Sequence, residues 1–183
     1  LLGCGAGMSA ERLRRWVTDS GIKETAEVRD EHGGWVEVAK AVPAGMDSWS
    51  HWAHGPDNNP VSRDTVIRAP YLKQWLAEPY TVAIPTVTTA AGGRVFVVTG
   101  NCAMNDRDIP TMSQLCARNA FNGTVLWTRK LPDDYLVHRS AYVATDGTFY
   151  LVDGDRCLLL DPETGQEKGR IQIQGVEGEW KWM

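Results

Sequence analysis

His51 and His54 lie three residues apart among Asp47, Asp57 and Asp64. Two imidazoles and a carboxylate suit a divalent transition metal if the backbone brings them together. The alternative is that they bond the main chain of their own loop. No metal site is expected here, and His51, His54 and Asp57 are the candidates for one. A second polar cluster, His138-Arg139-Ser140, precedes the apolar run Ala141 to Ala144 and could present ligand-binding groups. It has neither a nucleophile elbow nor a matched base, so no catalytic residue is expected. In Leu1-Leu-Gly-Cys-Gly-Ala-Gly7, the glycines Gly3, Gly5 and Gly7 would let a backbone approach a cofactor, or would merely join a strand to a helix. Cys4, Cys102, Cys116 and Cys157 form no CxxC or CxxCH, which argues against a zinc ribbon or an attached c-type haem.

The elements that carry these groups are organised by a repeat. A turn written Asn119-Ala-Phe-Asn-Gly123 recurs as Asp161-Pro-Glu-Thr-Gly165, 42 residues on. Before each turn come two apolar runs. Gly93 to Val98 matches Gly147 to Val152, and Leu115 to Asn119 matches Cys157 to Asp161. The first pair lies 54 residues apart and the second 42, so the first copy holds 12 extra residues, expected as a loop within Thr99 to Ser113. In each turn the Asn or Asp oxygen can accept from N–H groups two residues on, and the closing glycine accepts φ > 0. A period in the forties with about four short strands per unit predicts β-propeller blades, which bury their faces only against neighbours. Cys116 and Cys157 fall in matching strands as small buried thiols, and Cys102 falls in the inserted loop. Asn122-Gly-Thr124 fits a glycosylation sequon, but the turn already accounts for its glycine.

The strand Thr124-Val-Leu-Trp127 follows the first turn, and with it the pattern resembles the PQQ-type repeat of quinoprotein-like propellers. The resemblance implies that Trp127 docks onto the turn of the next blade. The second copy has Gly169 at the matching position, so it lacks that indole, and its outer strand is expected over Gly169 to Gln174. Asp47 to Ser62, with Trp49, Trp52, Gly55-Pro56 and an Asn/Asp cluster, is similar to the segment that leads into such propellers. Tyr71 to Trp75 would be the first strand of the ring, followed by a Pro-rich run and a strand over Thr86 to Ala90. Quinoprotein dehydrogenases of this fold hold pyrroloquinoline quinone between a Trp and adjacent cysteines, beside calcium and a catalytic Asp. No adjacent cysteine pair occurs here. Other family members use the ring as a scaffold for proteins or polymers.

The first 42 residues read differently. Ser9 caps a helix with Leu13, Trp16 and Val17 on one face and Gly21 as its stop. Thr25 to Arg29 and Trp35 to Ala39 then alternate as a hairpin. This resembles the closing elements of a methyltransferase-like, Rossmann-type domain, in which case Gly3, Gly5 and Gly7 bind nothing. On the alternative they form the loop for S-adenosylmethionine.

The fold class expected is mainly β, an incomplete β-propeller of about two four-stranded antiparallel blades with a short N-terminal helix and hairpin from an α/β domain. Residues 1–42 are the methyltransferase-like tail, 43–66 a lead-in loop or linker, and 67–183 the partial propeller. With 43% hydrophobic residues, 23% charged and a net charge of −4, there is no electrostatic case for nucleic acid, and no apolar run is long enough for a membrane-spanning helix. The chain lacks an initiator Met and stops just after a strand-like start, as expected of a piece of a larger bacterial multidomain protein whose missing blades pack on these two. Three functions stay open: a non-catalytic scaffold for an unknown protein or polymer ligand, with no cofactor in this fragment; a quinone- and calcium-dependent dehydrogenase; and an S-adenosylmethionine-dependent methyltransferase. Resemblance favours the periplasm or cell envelope.

Overall fold

A computed structural model describes residues 2–3, 9–22, 25–29, 35–39, 41–70, 72–79, 85–132, 141–175, 177–178, 180 and 183. The chain divides into two units, Leu1–Ala44 and Gly45–Met183.

In the first unit, Ser9 adopts an extended conformation and its Oγ accepts from the Arg12 N–H at 3.3 Å, which starts α1 (Ala10–Asp19) by satisfying one of its orphan donors. Gly21, at φ 71°, ends it. Leu13 is buried, Val17 half-buried, and Trp16, expected on the same face, is exposed. Around the helix stand β1 (Leu2–Gly3), β2 (Thr25–Arg29) and β3 (Trp35–Ala39), in the order β1-β3-β2 with both pairings antiparallel. β1 and β2 therefore run parallel on either side of β3, with α1 in the crossover.

The second unit holds two four-stranded antiparallel sheets, each a meander. The first contains β4 (Pro85–Ala91), β5 (Arg94–Thr99), β6 (Gln114–Asn119) and β7 (Val125–Lys130). The second contains β8 (Tyr142–Ala144), β9 (Phe149–Asp153), β10 (Arg156–Leu160) and β11 (Glu167–Gln172). The two repeated turns are the same corner, joining third strand to fourth in each sheet. β11 begins two residues earlier than expected, next to a register shift at Leu159/Leu160.

The register fixes which side chains share a face. On β5, Phe96 and Val98 face one way with Leu115 and Ala117 of β6; on β9, Phe149 and Leu151 share a face with Leu158 and Leu160 of β10. These two faces meet as the core, and the Phe96 and Phe149 rings lie 4.6 Å apart at 35°. Fully burying such a ring is worth roughly 2–3 kcal/mol.

Two expectations are corrected. Leu72–Trp75 form no strand; Tyr71 lies outside the described residues. The insertion between β5 and β6 is more than a loop, since Asp106–Thr111 make a 3-10 helix. Its end is fixed from β5, where the Thr99 hydroxyl donates to the Thr111 carbonyl, and Asp108 and Thr111 are buried.

Candidate functional site

The lead-in residues 45–67 are held by carboxylates rather than by secondary structure. Asp47 Oδ2 accepts from the Arg63 N–H at 2.6 Å and the Ser62 hydroxyl at 3.2 Å, and meets His54 Nε2 at 2.7 Å. The Arg63 N–H is the main reason that its carboxyl is held down to about 2. Asp64 Oδ1 accepts from the N–H groups of Val66 and Ile67, and Oδ2 from the Asp47 N–H at 3.3 Å. The Ile67 N–H leads the causes that lower its pKa.

His54 is 6% exposed, at φ 73°, with Trp49 edge-on at 5.0 Å. A residue other than glycine in the left-handed region persists only where its surroundings hold it there. Here the Asp47 carboxylate and the Trp49 ring do so. Its Nδ1 has no hydrogen-bond partner among the described residues. His51 turns elsewhere, with Nδ1 at 2.7 Å from Ser50 Oγ, and burial lowers its pKa. Ser50 Oγ is also placed to donate to the His54 carbonyl at 3.3 Å; in that state the His51 Nδ1–H donates to Ser50. Asp57 pairs with Arg63 Nη2 at 3.2 Å. The three metal candidates are thus drawn to three different partners, and among the described residues no three His, Cys, Asp or Glu side chains converge as ligands.

This segment also touches both sheets. Trp49 and Ala90 exchange two backbone hydrogen bonds, of 2.7 and 2.8 Å, at the edge strand β4. The Ala144 N–H on β8 donates to the Ser50 carbonyl at 2.9 Å. The lead-in residues therefore satisfy backbone groups on the first strand of each sheet.

At the corners, Asn119 Oδ1 accepts from the N–H groups of Phe121 (2.8 Å) and Asn122 (3.2 Å), while Asp161 Oδ1 accepts from those of Glu163 (3.0 Å) and Thr164 (2.9 Å). The Thr164 N–H is the first cause of Asp161's lowered pKa. Gly123 at φ 73° and Gly165 at φ 71° close the two turns by donating N–H back to Asn119 and Asp161. Trp127 crosses from the first sheet to the second corner, where its Nε1–H donates to the Pro162 carbonyl at 3.0 Å and its ring covers Gly165. A Cβ on that glycine would lie 2.6 Å from Trp127 Cδ2. Arg94 makes a second crossing, pairing with Glu163 and donating to the Asp146 carbonyl.

Sequence reasoning missed Trp75. Its indole covers Gly123, and its Nε1–H donates to the Ala120 carbonyl at 2.8 Å. Trp75 precedes Gly123 by 48 residues and Trp127 precedes Gly165 by 38, and the inserted loop lies within the longer span, which is the signal available in the sequence.

Gly3 lies in β1, paired with Trp35, whereas Gly5, Gly7, His138 and Arg139 fall outside the described residues. Burial pushes up the thiols of Cys116 and Cys157, and Cys102 is exposed.

Two stacked four-stranded meanders, with the outer strand of one reaching the corner of the next, define a partial β-propeller. No family model matches the sequence, and no curated protein does. Among solved structures, BamB from Moraxella catarrhalis is similar over 47% of this chain and 24% of its own, at 16% identity and a TM-score of 0.35.

Proposed function

We propose that the chain is a non-catalytic, quinoprotein-like propeller module that acts as a binding or interaction scaffold for a protein or polymer within a larger bacterial protein, in the periplasm or cell envelope. The observation that carries the repeat type is the Trp127 indole on Gly165, the inter-blade coupling implied by the PQQ-type resemblance. The scaffold reading is supported by the use of the polar side chains. Asp47, Asp64, Asn119 and Asp161 each take main-chain N–H groups and so fix the shape of a loop.

The residues present do not fit pyrroloquinoline quinone. The four cysteines, Cys4, Cys102, Cys116 and Cys157, include no adjacent pair, and Cys116 and Cys157 are buried in different sheets. The test is a titration of the full chain with the quinone and calcium, followed by tryptophan fluorescence and dye reduction. No saturable quenching and no reduction are expected; saturable binding with calcium-dependent reduction would refute a non-catalytic role.

For the first unit, the order β1-β3-β2 around α1 favours the closing part of a methyltransferase-like domain, with Gly3, Gly5 and Gly7 binding nothing. Photocrosslinking of labelled S-adenosylmethionine to peptides containing Gly3 to Gly7 would instead support the methyltransferase alternative.

A further inference from the structure

The repeat makes the two sheets comparable position by position. Val95, Val97, Cys116 and Arg118 of the first sheet fall at the positions of Phe149, Leu151, Leu158 and Leu160 of the second. By register each set lies on one face, with Val95 opposite Arg118 and Val97 opposite Cys116, as Phe149 is opposite Leu160 and Leu151 opposite Leu158. In the second sheet this face is wholly apolar, no residue of it is more than 4% exposed, and it packs against Phe96 and Val98. In the first sheet, valines and a cysteine stand where the second has larger side chains, and an arginine stands where it has a leucine. Between that face and Trp75–Pro79 lies a cavity of about 280 Å³, near the lower end of the range for small-molecule sites.

Arg118 gives this cavity its chemistry. It is 6% exposed, and its Nη1 donates to the carbonyls of Glu78 and Gly123, both at 3.0 Å. These two bonds use both N–H groups of that nitrogen and hold the guanidinium in place. Among the described residues no Asp or Glu pairs with it, and no carbonyl or hydroxyl takes its Nε–H or its Nη2 groups; the side chain beside them is the Cys116 thiol. A buried cation without an anion is costly, and Leu160 shows that this place in the fold does not require one. The Nε/Nη2 edge of a guanidinium presents two parallel donors, which a carboxylate fills bidentately. Away from Arg118 the wall is formed by Val95, Val97, Trp75, Leu76 and Val125. Gln114 lies on the same wall, about 13 Å from Arg118 along β6 at the usual strand rise.

We propose that this cavity binds a small monocarboxylate with an apolar body, its carboxylate held by Nε and Nη2 of Arg118 and its body lying against Val97 and Cys116. Charge and wall chemistry together select the class. A neutral apolar ligand leaves the guanidinium unpaired, and a dianion brings a second charge that the apolar walls do not balance. The site adds a small ligand to the scaffold reading, which concerns macromolecular partners, and does not rest on it.

The test is a titration of the isotope-labelled full chain with octanoate, followed by NMR. Saturable shifts of the Val97, Cys116 and Arg118 amides are expected, together with a downfield shift of the Arg118 Nε–H. Octanamide, the same body without the charge, should bind about tenfold or more weakly. Arg118→Gln should weaken octanoate to the level of octanamide. Because Arg118 also holds the Glu78 and Gly123 carbonyls, a second variant tests the site without altering it. Val95→Phe combined with Cys116→Leu writes the second sheet's residues into the cavity and should weaken octanoate by about tenfold or more. No saturable shift with octanoate, equal binding of octanamide, or unchanged binding by the filled variant overturns the proposal. If neither variant folds, the comparison of octanoate with octanamide on the native chain decides by itself.

Discussion

Replacing Gly165 by alanine imposes two separable costs. The first is the backbone conformation: φ 71° costs an L-residue roughly 1–2 kcal/mol, partly offset by a less flexible unfolded chain, for a net of about 1 kcal/mol. The second is steric, since the new Cβ would sit 2.6 and 2.7 Å from Trp127 Cδ2 and Cε3. That indole is held by its bond to Pro162, so moving it costs about 1–3 kcal/mol as overpacking does. Gly165→Ala is therefore expected to cost about 2–4 kcal/mol in the native background, but only about 1 kcal/mol when Trp127 is already alanine. Trp127→Ala alone should cost about 2–3 kcal/mol, below the full core value because the ring is half-buried. Gly154→Ala isolates the backbone part, since φ is 63° there and nothing lies within 4 Å of the added Cβ. Urea melts followed by circular dichroism, with unchanged slope, give all four values. If Gly165→Ala costs the same in both backgrounds to within about 0.5 kcal/mol, or no more than Gly154→Ala, then Trp127 does not couple the sheets through this glycine.

Asp47 makes the lead-in loop acid-sensitive. Its carboxyl is held below its ordinary 3.8, at about 2, so its contribution is complete at neutral pH and is lost as pH falls through that interval. Limited proteolysis over 45–66 should rise there in the native chain, and Asp47→Asn should remove the part of that pH dependence that Asp47 supplies, leaving the part due to Asp64. At the corner, Asp161→Ala removes an acceptor from two backbone N–H groups and should cost about 1–2 kcal/mol, while Asp161→Asn should stay within about 0.5 kcal/mol because Asn119 does the same work; thermal melts compare them. Ser9→Ala should cost α1 about 1 kcal/mol, read as faster exchange of the amides in its first turn.

The corners, α1 and the β2–β3 hairpin were legible because each is specified within a few residues. Asn119 and Gly123 supply the acceptor and the positive φ of one five-residue turn, and Ser9 and Gly21 bracket one helix. Trp75 was not legible as a cap. Tyr71, Lys73 and Trp75 alternate with other residues as in a strand, whereas the partner that decides the place of Trp75 is a glycine 48 residues on. The histidines illustrate the same limit. Their spacing suggests ligands, but Asp47, seven residues before His54, is the group that meets its Nε2. Likewise the 3-10 helix in the insertion is fixed from Thr99, outside itself.

The apolar runs of β5 and β9 carry a longer-range message. A strand covered on one face alternates, whereas Val95-Phe-Val-Val98 and Phe149-Tyr-Leu-Val152 do not, so both faces of each sheet are built to be covered. The structure shows how one pair of faces is used. Phe96 and Val98 meet Phe149 and Leu151, positions offset by one in the repeat, so the contact joins unlike faces. Unlike-face stacking has no intrinsic end; it closes into a ring or requires a cover on each open side. The outer strands do not share this demand, for β7 and β11 are mostly exposed. On one side the cover is Trp75–Pro79. On the other, Trp180 and Met183 pack against the core, the Trp180 N–H donating to the Gly154 carbonyl at 2.9 Å. The cover Trp75–Pro79 has no strand structure, so on that side the face is shielded by side chains rather than by a further sheet.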